Sequence, residues 1–311
     1  MNKATLKYIQ NNRYIYEIER EKVISEKQKK INFDHTIKAL VWKNFKNILS
    51  AIKNYPLEII KGYQYFNKTK NLKKKKGKKA LVIGNGPSQG TLKYKDLTEF
   101  KENGGEIFCV NYWTENEELN KHVPDWILIS DPNIFNEENR SNVIRMKKFI
   151  YYLENNNNIK LIMPVTLINK FPNNLLNEIY AFSDVELNMW RNINPLLPRG
   201  YLSMTLYKAL AFAIYLEFDT IAVIGMDNTY PRNIYNDFDN KVCNLETHAG
   251  REDTLLDMSG LFPTVASLLS EHTRLFYHLE YFPKHNIYNL DKFSLTDRFN
   301  KITKKEFFES K

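Results

Sequence analysis

Apolar residues along this chain follow two different periods, and the change between them falls near residue 71. Before it they recur at steps of three and four, as in Ile37, Val41, Phe45, Ile48, Ile52 and Tyr55, which is typical of one face of a helix. We expect a basic helical extension over residues 1 to 70, whose apolar face packs on the rest of the chain or on a second subunit. The alternative is a basic amphipathic helix that lies on an anionic membrane surface.

The segment after this helical region reads NLKKKKGKKA and contains six lysines around one glycine. Repulsion between the lysines and the backbone freedom of glycine favour an exposed linker, which we assign to residues 71 to 79. The domain that follows is predicted to span residues 80 to 311. Beside anionic lipid, each lysine would add about 1 kcal/mol of attraction.

From residue 80 onward, short apolar segments alternate with helical periodicity. The strand candidates are ALVIG (80 to 84), EIFCVN (106 to 111), DWILIS (125 to 130), IKLIMPV (159 to 165) and TIAVIG (220 to 225), and the clearest helix covers 203 to 218. This alternation predicts an α/β fold with a Rossmann-like, mostly parallel sheet. Ligands of such sheets bind at the carboxyl ends of the strands, so the residues that follow each strand are the candidates for function.

Composition narrows the class of protein. The 311 residues, 43% of them hydrophobic, can bury one substantial core, and the net charge is +9. The lysine run has no interleaved aromatic residues for base stacking, so nucleic acid is not an expected partner.

We expect a cytoplasmic protein, because the longest apolar run (209 to 216) is too short to span a bilayer and the first residues lack a signal-peptide core. Cys109 and Cys243 form no CxxC pair, which argues against a disulfide framework or structural zinc.

The first strand runs directly into Gly84, Asn85, Gly86, Pro87 and Ser88. Glycines let a backbone approach a ligand closely, and Ser88 can cap a helix whose first amides favour phosphate. A nicotinamide-binding fingerprint fits poorly, because the next glycine comes one place late and Asn111 stands where an acidic residue would bind the ribose.

Short polar side chains follow three further strands: Asn111, Asp131 and Asp227. Any one of them could simply form a turn. Together with the glycine loop they indicate a cleft that binds a nucleotide, because each can hydrogen-bond a sugar hydroxyl or a base edge.

This ordered set, from GNGPS to the strand that ends in G-x-D, resembles the bacterial lipooligosaccharide sialyltransferases of glycosyltransferase family forty-two. Motility-associated glycosyltransferases and pterin pyrophosphokinase-like domains share part of it. The resemblance covers residues 80 to about 300. It implies a variant GT-A fold that transfers a nonulosonic acid, a sialic-acid-like sugar, from a CMP-activated donor to a glycan acceptor. The transfer would proceed with inversion, without a metal and without a further cofactor.

The resemblance also implies roles for individual residues. Asn85, Ser88, Asn111 and Asp227 would hold CMP, with Asp131, Ser203 and Thr205 beside them; Tyr230 and Tyr235 would bind the leaving phosphate, His248 would be the general base, and Arg199 would bind the acceptor. The match is inexact at several places. Asp131 stands where the family usually has Asn, and Arg199 comes a few residues early. Tyr230 comes one place late and is closer to Tyr235 than in the family, and the segment from Tyr235 to His248 is shorter.

Elementary chemistry is consistent with these roles. A nucleoside monophosphate leaving group carries less charge than a diphosphate, so tyrosine hydroxyls and backbone amides can stabilise it. A histidine with a pKa of about 6.5 suits removal of a proton from an acceptor hydroxyl.

Two alternatives remain open. The sequence NDFDN contains Asp237-x-Asp239, which would bind Mg²⁺ in a pterin pyrophosphokinase-like enzyme that uses ATP. A non-catalytic nucleotide-binding or membrane adaptor would bind a ligand through Asn85 and Ser88 without turnover. We also expect the protein to form a homo-oligomer and to contact anionic membrane peripherally.

Overall fold

The computed structural model describes residues 37 to 309 except 112, 117, 136–139, 188–189, 229–233, 237–241, 245–255 and 258–264. The helices are α1 (Ile37–Lys70), α2 (Tyr94–Glu102), α3 (Arg140–Glu154), α4 (Val165–Ile168), α5 (Thr205–Tyr215), α6 (Val265–Leu279) and α7 (Lys304–Glu309). The strands are β1 (Lys79–Ile83), β2 (Glu106–Val110), β3 (Trp126–Leu128), β4 (Lys160–Pro164), β5 (Ile179–Phe182), β6 (Thr220–Ile224), β7 (Ile234–Asn236), β8 (Val242–Asn244), β9 (Leu256–Asp257), β10 (Ile287–Asn289) and β11 (Asn300–Lys301).

In the described part of the chain, eight strands form one parallel sheet in the order β11-β10-β6-β1-β2-β3-β4-β5. Strands β7, β8 and β9 form a separate antiparallel sheet. The sheet confirms the predicted α/β, Rossmann-like fold, and the five predicted strands and the helix at 203 to 218 all occur. The strand order reverses at β1: β2 to β5 lie on one side of it, and β6, β10 and β11 lie on the other.

Alternate residues of the strands point to opposite faces of the parallel sheet, and both faces are covered. On one face, Leu81 and Ile83 of β1 pack in a core with α2, α3 and α7. On the other face, Ala80 and Val82 pack against α5 and α6. The near-continuous apolar strands seen in the sequence are therefore strands buried on both sides.

Helix α1 packs on the part of the sheet near the edge strand β5. Phe66 joins the same core as Leu81, and the Thr69 hydroxyl donates a hydrogen bond to the Ala181 carbonyl at 2.8 Å. The Tyr55 hydroxyl donates to the Leu196 carbonyl at 2.8 Å. Within the described residues, no helix is both long and apolar enough to cross a membrane.

The lysine-rich segment connects α1 to β1 and contacts the sheet. Lys75 and Lys78 each donate to one oxygen of the buried Glu106, at 2.8 and 3.1 Å. The Lys75 amide also donates to the Leu216 carbonyl at 2.7 Å. Lys74 and Lys76 pair with Glu217, so four of the six lysines form ion pairs in the fold. The division of the chain into domains at this segment stays a prediction.

Candidate functional site

The glycine loop after β1 lies directly against the end of β6. The Gly84 amide donates to the Ile224 carbonyl at 2.8 Å, and the Gly86 amide donates to the Gly225 carbonyl at 3.1 Å. A Cβ atom on either Gly84 or Gly86 would lie 2.6 Å from the Gly225 carbonyl oxygen. Gly225 itself has a φ of +75° and leaves no room for a Cβ, which would lie 2.3 Å from the Gly84 oxygen. Only glycines permit this approach of the two backbones.

The carboxylate of Asp227 fixes the loop to β6. Its two oxygens accept hydrogen bonds from the Ser88 amide at 2.9 Å and the Ser88 hydroxyl at 3.0 Å. The same hydroxyl accepts a bond from the Gly225 amide at 2.9 Å. Because Ser88 and Asp227 are buried and bind each other, they shape the loop in this structure. Direct contact of either side chain with CMP stays a prediction.

The surroundings of Asp227 also shift the pKa of its carboxyl group. Burial, together with the neighbouring Asp291 carboxyl group that follows β10, raises the pKa of Asp227 to about 6, although the two hydrogen bonds from Ser88 oppose this rise. Around neutral pH the carboxylate is therefore ionised, which is the form that accepts both bonds from Ser88.

The chain after Ser88 turns more tightly than the sequence suggests. Residues Pro87–Thr91 form a 3₁₀ helix of five residues, in place of the expected α-helix with free amides at its start. The Gln89 amide already donates to the Gly86 carbonyl at 3.0 Å. The first α-helix after β1 is α2, which begins at Tyr94.

A second polar network joins β2, β3 and the start of α5. The Asn111 side chain accepts a bond from the Ser130 amide at 3.1 Å and donates to the Thr205 hydroxyl at 2.9 Å. The hydroxyls of Ser130 and Thr205 lie 2.8 Å apart and share a hydrogen bond. Asn111 has a φ of 36°, a left-handed conformation that asparagine tolerates better than most residues. Asn111 and Thr205, two predicted site residues, are thus brought together.

The remaining described candidates at this edge differ in exposure. Asn85 is half-buried in the glycine loop, and its side chain has no hydrogen-bond partner among the described residues. Asp131 follows β3 and is also half-buried, while Ser203 is exposed two residues before α5. An amide that can both donate and accept, and that has no partner in the described part of the chain, suits a polar ligand.

Arg199, the predicted acceptor-binding residue, lies in a buried ion-pair cluster. Its side chain is 6% exposed, and the guanidinium binds Asp184 at 3.0 Å, Glu186 at 3.4 Å and the Tyr201 carbonyl. Asp184 also binds Lys208, at 2.7 Å. Burial lowers the pKa of Lys208, and the Asp184 carboxylate opposes that change. These contacts stabilise the loop after β5, and acceptor binding by Arg199 stays a prediction.

Several predicted residues lie outside the described part of the chain. These are Tyr230 and His248, together with the aspartates of the alternative metal site, Asp237 and Asp239. Tyr235 is described only as part of β7, where it pairs with Cys243 of β8. Among the described residues, no group of three or more His, Cys, Asp or Glu side chains could hold a metal ion.

A cavity of about 400 Å³ opens on the side of the glycine loop that faces β10 and β11. It is lined by Ser88 and Thr91, by Asp291 and by Lys301 and Lys304, among others. Its size falls within the range of small-molecule sites. The Lys301 ammonium group donates to the Ser294 carbonyl at 2.6 Å, so that lysine is held in place.

Sequence reasoning missed three residues that build this edge of the sheet. Ser130 is the last residue of the predicted strand DWILIS and immediately precedes the candidate Asp131, so its position at a strand end was visible in the sequence. Asp291 follows β10, a three-residue strand too short to detect by its apolar pattern. Lys208 lies one turn after Thr205 in α5, within a helix that is otherwise nearly all apolar.

No family model matches the sequence, and no curated protein matches it. Among solved structures, the chain is similar to a MAf glycosyltransferase from Magnetospirillum magneticum AMB-1, with a TM-score of 0.45 and 12% sequence identity. The similarity covers 80% of this chain and 39% of that chain, so the chain spans about two fifths of that protein's length.

Proposed function

We propose that the chain is an inverting glycosyltransferase that transfers a nonulosonic acid from a CMP-activated donor to a hydroxyl group of a glycan. The observation that carries the proposal is the position of the glycine loop, at the carboxyl end of β1, where the strand order reverses. Ligands of parallel α/β sheets bind in the crevice at such a reversal. The ordered resemblance described above supplies the choice of donor.

The polar side chains at this edge fit a nucleoside better than a bare polyphosphate. Asn85 and Asn111 carry amides that can recognise a base edge or a ribose hydroxyl. Asp227 and Ser88 keep the loop close to β6, so that Asn85 and the loop backbone meet the ligand in a fixed position. Lys208, a buried cation three residues after Thr205, is already paired with Asp184.

In the proposed reaction an acceptor hydroxyl attacks the anomeric carbon of the donor. The new carbon–oxygen bond forms as the bond to the CMP phosphate breaks, and CMP leaves with the electron pair. His248 takes the hydroxyl proton, while the hydroxyls of Tyr230 and Tyr235 stabilise the departing phosphate. These three roles rest on the sequence.

Thermal unfolding of the purified full chain with CMP, CDP, UDP, GDP, ATP and NAD, each with and without Mg²⁺, tests the donor class. A ligand at about one hundred times its dissociation constant stabilises a fold by about 2.7 kcal/mol. We expect CMP to raise the unfolding temperature without Mg²⁺. Stabilisation by ATP or a nucleoside diphosphate only with Mg²⁺ would refute the proposal and favour the pyrophosphokinase-like alternative. CMP binding without turnover of any CMP-sugar would favour the non-catalytic adaptor.

Two pairs of variants test the residues. Asn85→Ala should weaken CMP binding at least about tenfold, the cost of one unmade hydrogen bond in a site. Asn157→Ala is its control, because Asn157 is exposed at the opposite edge of the sheet, in the turn before β4.

His248→Ala should lower the rate of sugar transfer by at least about 100-fold and leave CMP binding nearly unchanged. His285→Ala, an exposed histidine before β10, should do neither.

A further inference from the structure

Helix α1 exposes a stripe of large apolar side chains that the rest of the described chain leaves uncovered. The stripe consists of Trp42, Phe45, Leu49, Ile52, Ile60 and Tyr63, which are between 49% and 72% exposed. The spacing between neighbours is three, four or eight residues, so all six lie on one side of the helix. Six such side chains in one row exceed the scattered apolar residues expected on a protein surface.

A different side of α1 attaches it to the sheet. Ala51, Glu58 and Phe66 are buried there, and Tyr55 and Thr69 make the hydrogen bonds to Leu196 and Ala181. The sequence suggests a single apolar face that includes both Ile52 and Tyr55. In the structure Tyr55 is turned toward the protein and Ile52 toward the surroundings, so the helix carries two apolar faces and the sheet covers one.

The charges beside the exposed stripe are all positive. Lys46, Lys53 and Lys61 directly follow members of the stripe in the sequence and are exposed. The ammonium group of Lys46 lies 5.1 Å from the centre of the Trp42 ring. Glu58 is the sole acidic residue of the α1 sequence, and it is buried, where it accepts bonds from the Ser183 hydroxyl at 2.6 Å and the Asp184 amide at 3.1 Å.

We propose that this face of α1 binds the surface of an anionic lipid bilayer. The apolar stripe would enter the boundary between headgroups and acyl chains, and the lysines beside it would meet the lipid phosphates. From Trp42 to Tyr63 the helix extends about 32 Å, and aromatic residues of this kind favour the headgroup level. The proposal does not depend on which donor the site uses.

A second copy of the chain is a poorer occupant of this face. Two copies of the stripe would bring lysines against lysines, and no acidic side chain on α1 is exposed to pair with them. Charges of one sign beside an apolar seam oppose self-association. They complement a surface of the opposite sign.

Flotation of the full chain with vesicles tests the proposal. Vesicles of phosphatidylcholine alone are compared with vesicles that contain about 30% phosphatidylglycerol. We expect binding at least about tenfold stronger to the anionic vesicles, and weaker binding in 0.5 M salt, because several lysines each add attraction. Equal binding to both kinds of vesicle, or binding to neither, would overturn the proposal.

Matched variants then locate the contact. Ile52→Glu should weaken binding to anionic vesicles at least about tenfold, whereas Tyr151→Glu should not, although Tyr151 of α3 is similarly exposed at 70%. Lys53→Glu should weaken binding about fivefold or more, and Lys95→Glu, on the exposed side of α2, much less. Unfolding temperatures within about 2 °C of the parent would show that all four variants fold.

Other occupants predict different results. If the parent is a dimer that Ile52→Glu dissociates, the face binds a second copy and the proposal is wrong. If the chain binds duplex nucleic acid and only Lys53→Glu weakens that binding, the face is an electrostatic surface and the proposal is wrong as well. Loss of vesicle binding in Tyr151→Glu equal to that in Ile52→Glu would also overturn it.

Discussion

Replacement of Gly86 by alanine tests whether the glycine loop is held as the structure shows. The added Cβ would lie 2.6 Å from the Gly225 carbonyl oxygen and also against the Asp227 carboxylate. The first contact is with backbone, so no rotation of a side chain relieves it. The loop must move away from β6, and the hydrogen bond from the Gly86 amide to Gly225, now 3.1 Å, must lengthen.

The expected cost follows from the bonds that this movement weakens. The Gly86 bond to Gly225 is a backbone hydrogen bond, worth about 1 kcal/mol. The two bonds from Ser88 to the Asp227 carboxylate are charge-assisted, and disturbing them adds about 2 kcal/mol. A loss of about 3 kcal/mol in the free energy of unfolding would lower the unfolding temperature by about 5 °C for a chain of this size.

Gly90→Ala is the matched control, since Gly90 belongs to the same 3₁₀ turn and a Cβ there would meet nothing within 4 Å. Alanine restricts the unfolded chain equally at both positions, so the difference between the two variants isolates the native-state contact. Denaturant unfolding and thermal unfolding of both variants give the measurement. Equal stability of Gly86→Ala and Gly90→Ala would refute the close approach of the glycine loop to the Gly225 carbonyl.

Two further predictions concern Asp227 and the attachment of α1. The pKa of Asp227 rises from 3.8 to about 6 on folding, so its ionisation costs native stability as pH rises through that window. The stability of the parent relative to Asp227→Asn should therefore fall by about 2 kcal/mol from pH 4 to pH 6.5 in denaturant titrations, and parallel pH profiles would contradict this. Tyr55→Phe removes the hydrogen bond to Leu196 and should lower the free energy of unfolding by about 1 kcal/mol. Tyr63→Phe, at an exposed position, should change the free energy of unfolding by less than about 0.5 kcal/mol. Equal values for the two variants would show that the bond to Leu196 is not made.

The sequence predicted that polar residues gather at one edge of the sheet, because this gathering depends only on the topology of a parallel sheet. Apolar strands followed by Gly84, Asn111, Asp131 and Asp227 are recognisable without knowing the strand order. In a parallel sheet every carboxyl end lies at the same edge, so these residues are brought near one another whatever their separation in the chain. Short strands such as β10 lacked the apolar length that makes this pattern visible, and Asp291 was missed with it.

The partners of these residues could not be predicted, because they depend on side-chain geometry between distant segments. Ser88 and Asp227 are 139 residues apart and bind each other. Arg199 is typical of an acceptor site by its residue type, yet in the structure it neutralises Asp184 and Glu186. Residue type and position after a strand do not distinguish a side chain that meets a ligand from one that holds the backbone.

That distinction changes how the candidate site should be probed. Asp227, Ser88, Asn111 and Thr205 already make most of their hydrogen bonds within the protein, so replacing them alters the shape of the edge as well as any contact with a ligand. A loss of binding in such variants is therefore ambiguous. Asn85 makes no bond within the described chain, so a loss of nucleotide affinity there, without a loss of stability, reports on the ligand itself. A polar group that has no partner among the described residues is the more informative one, because its replacement breaks no hydrogen bond of the described fold.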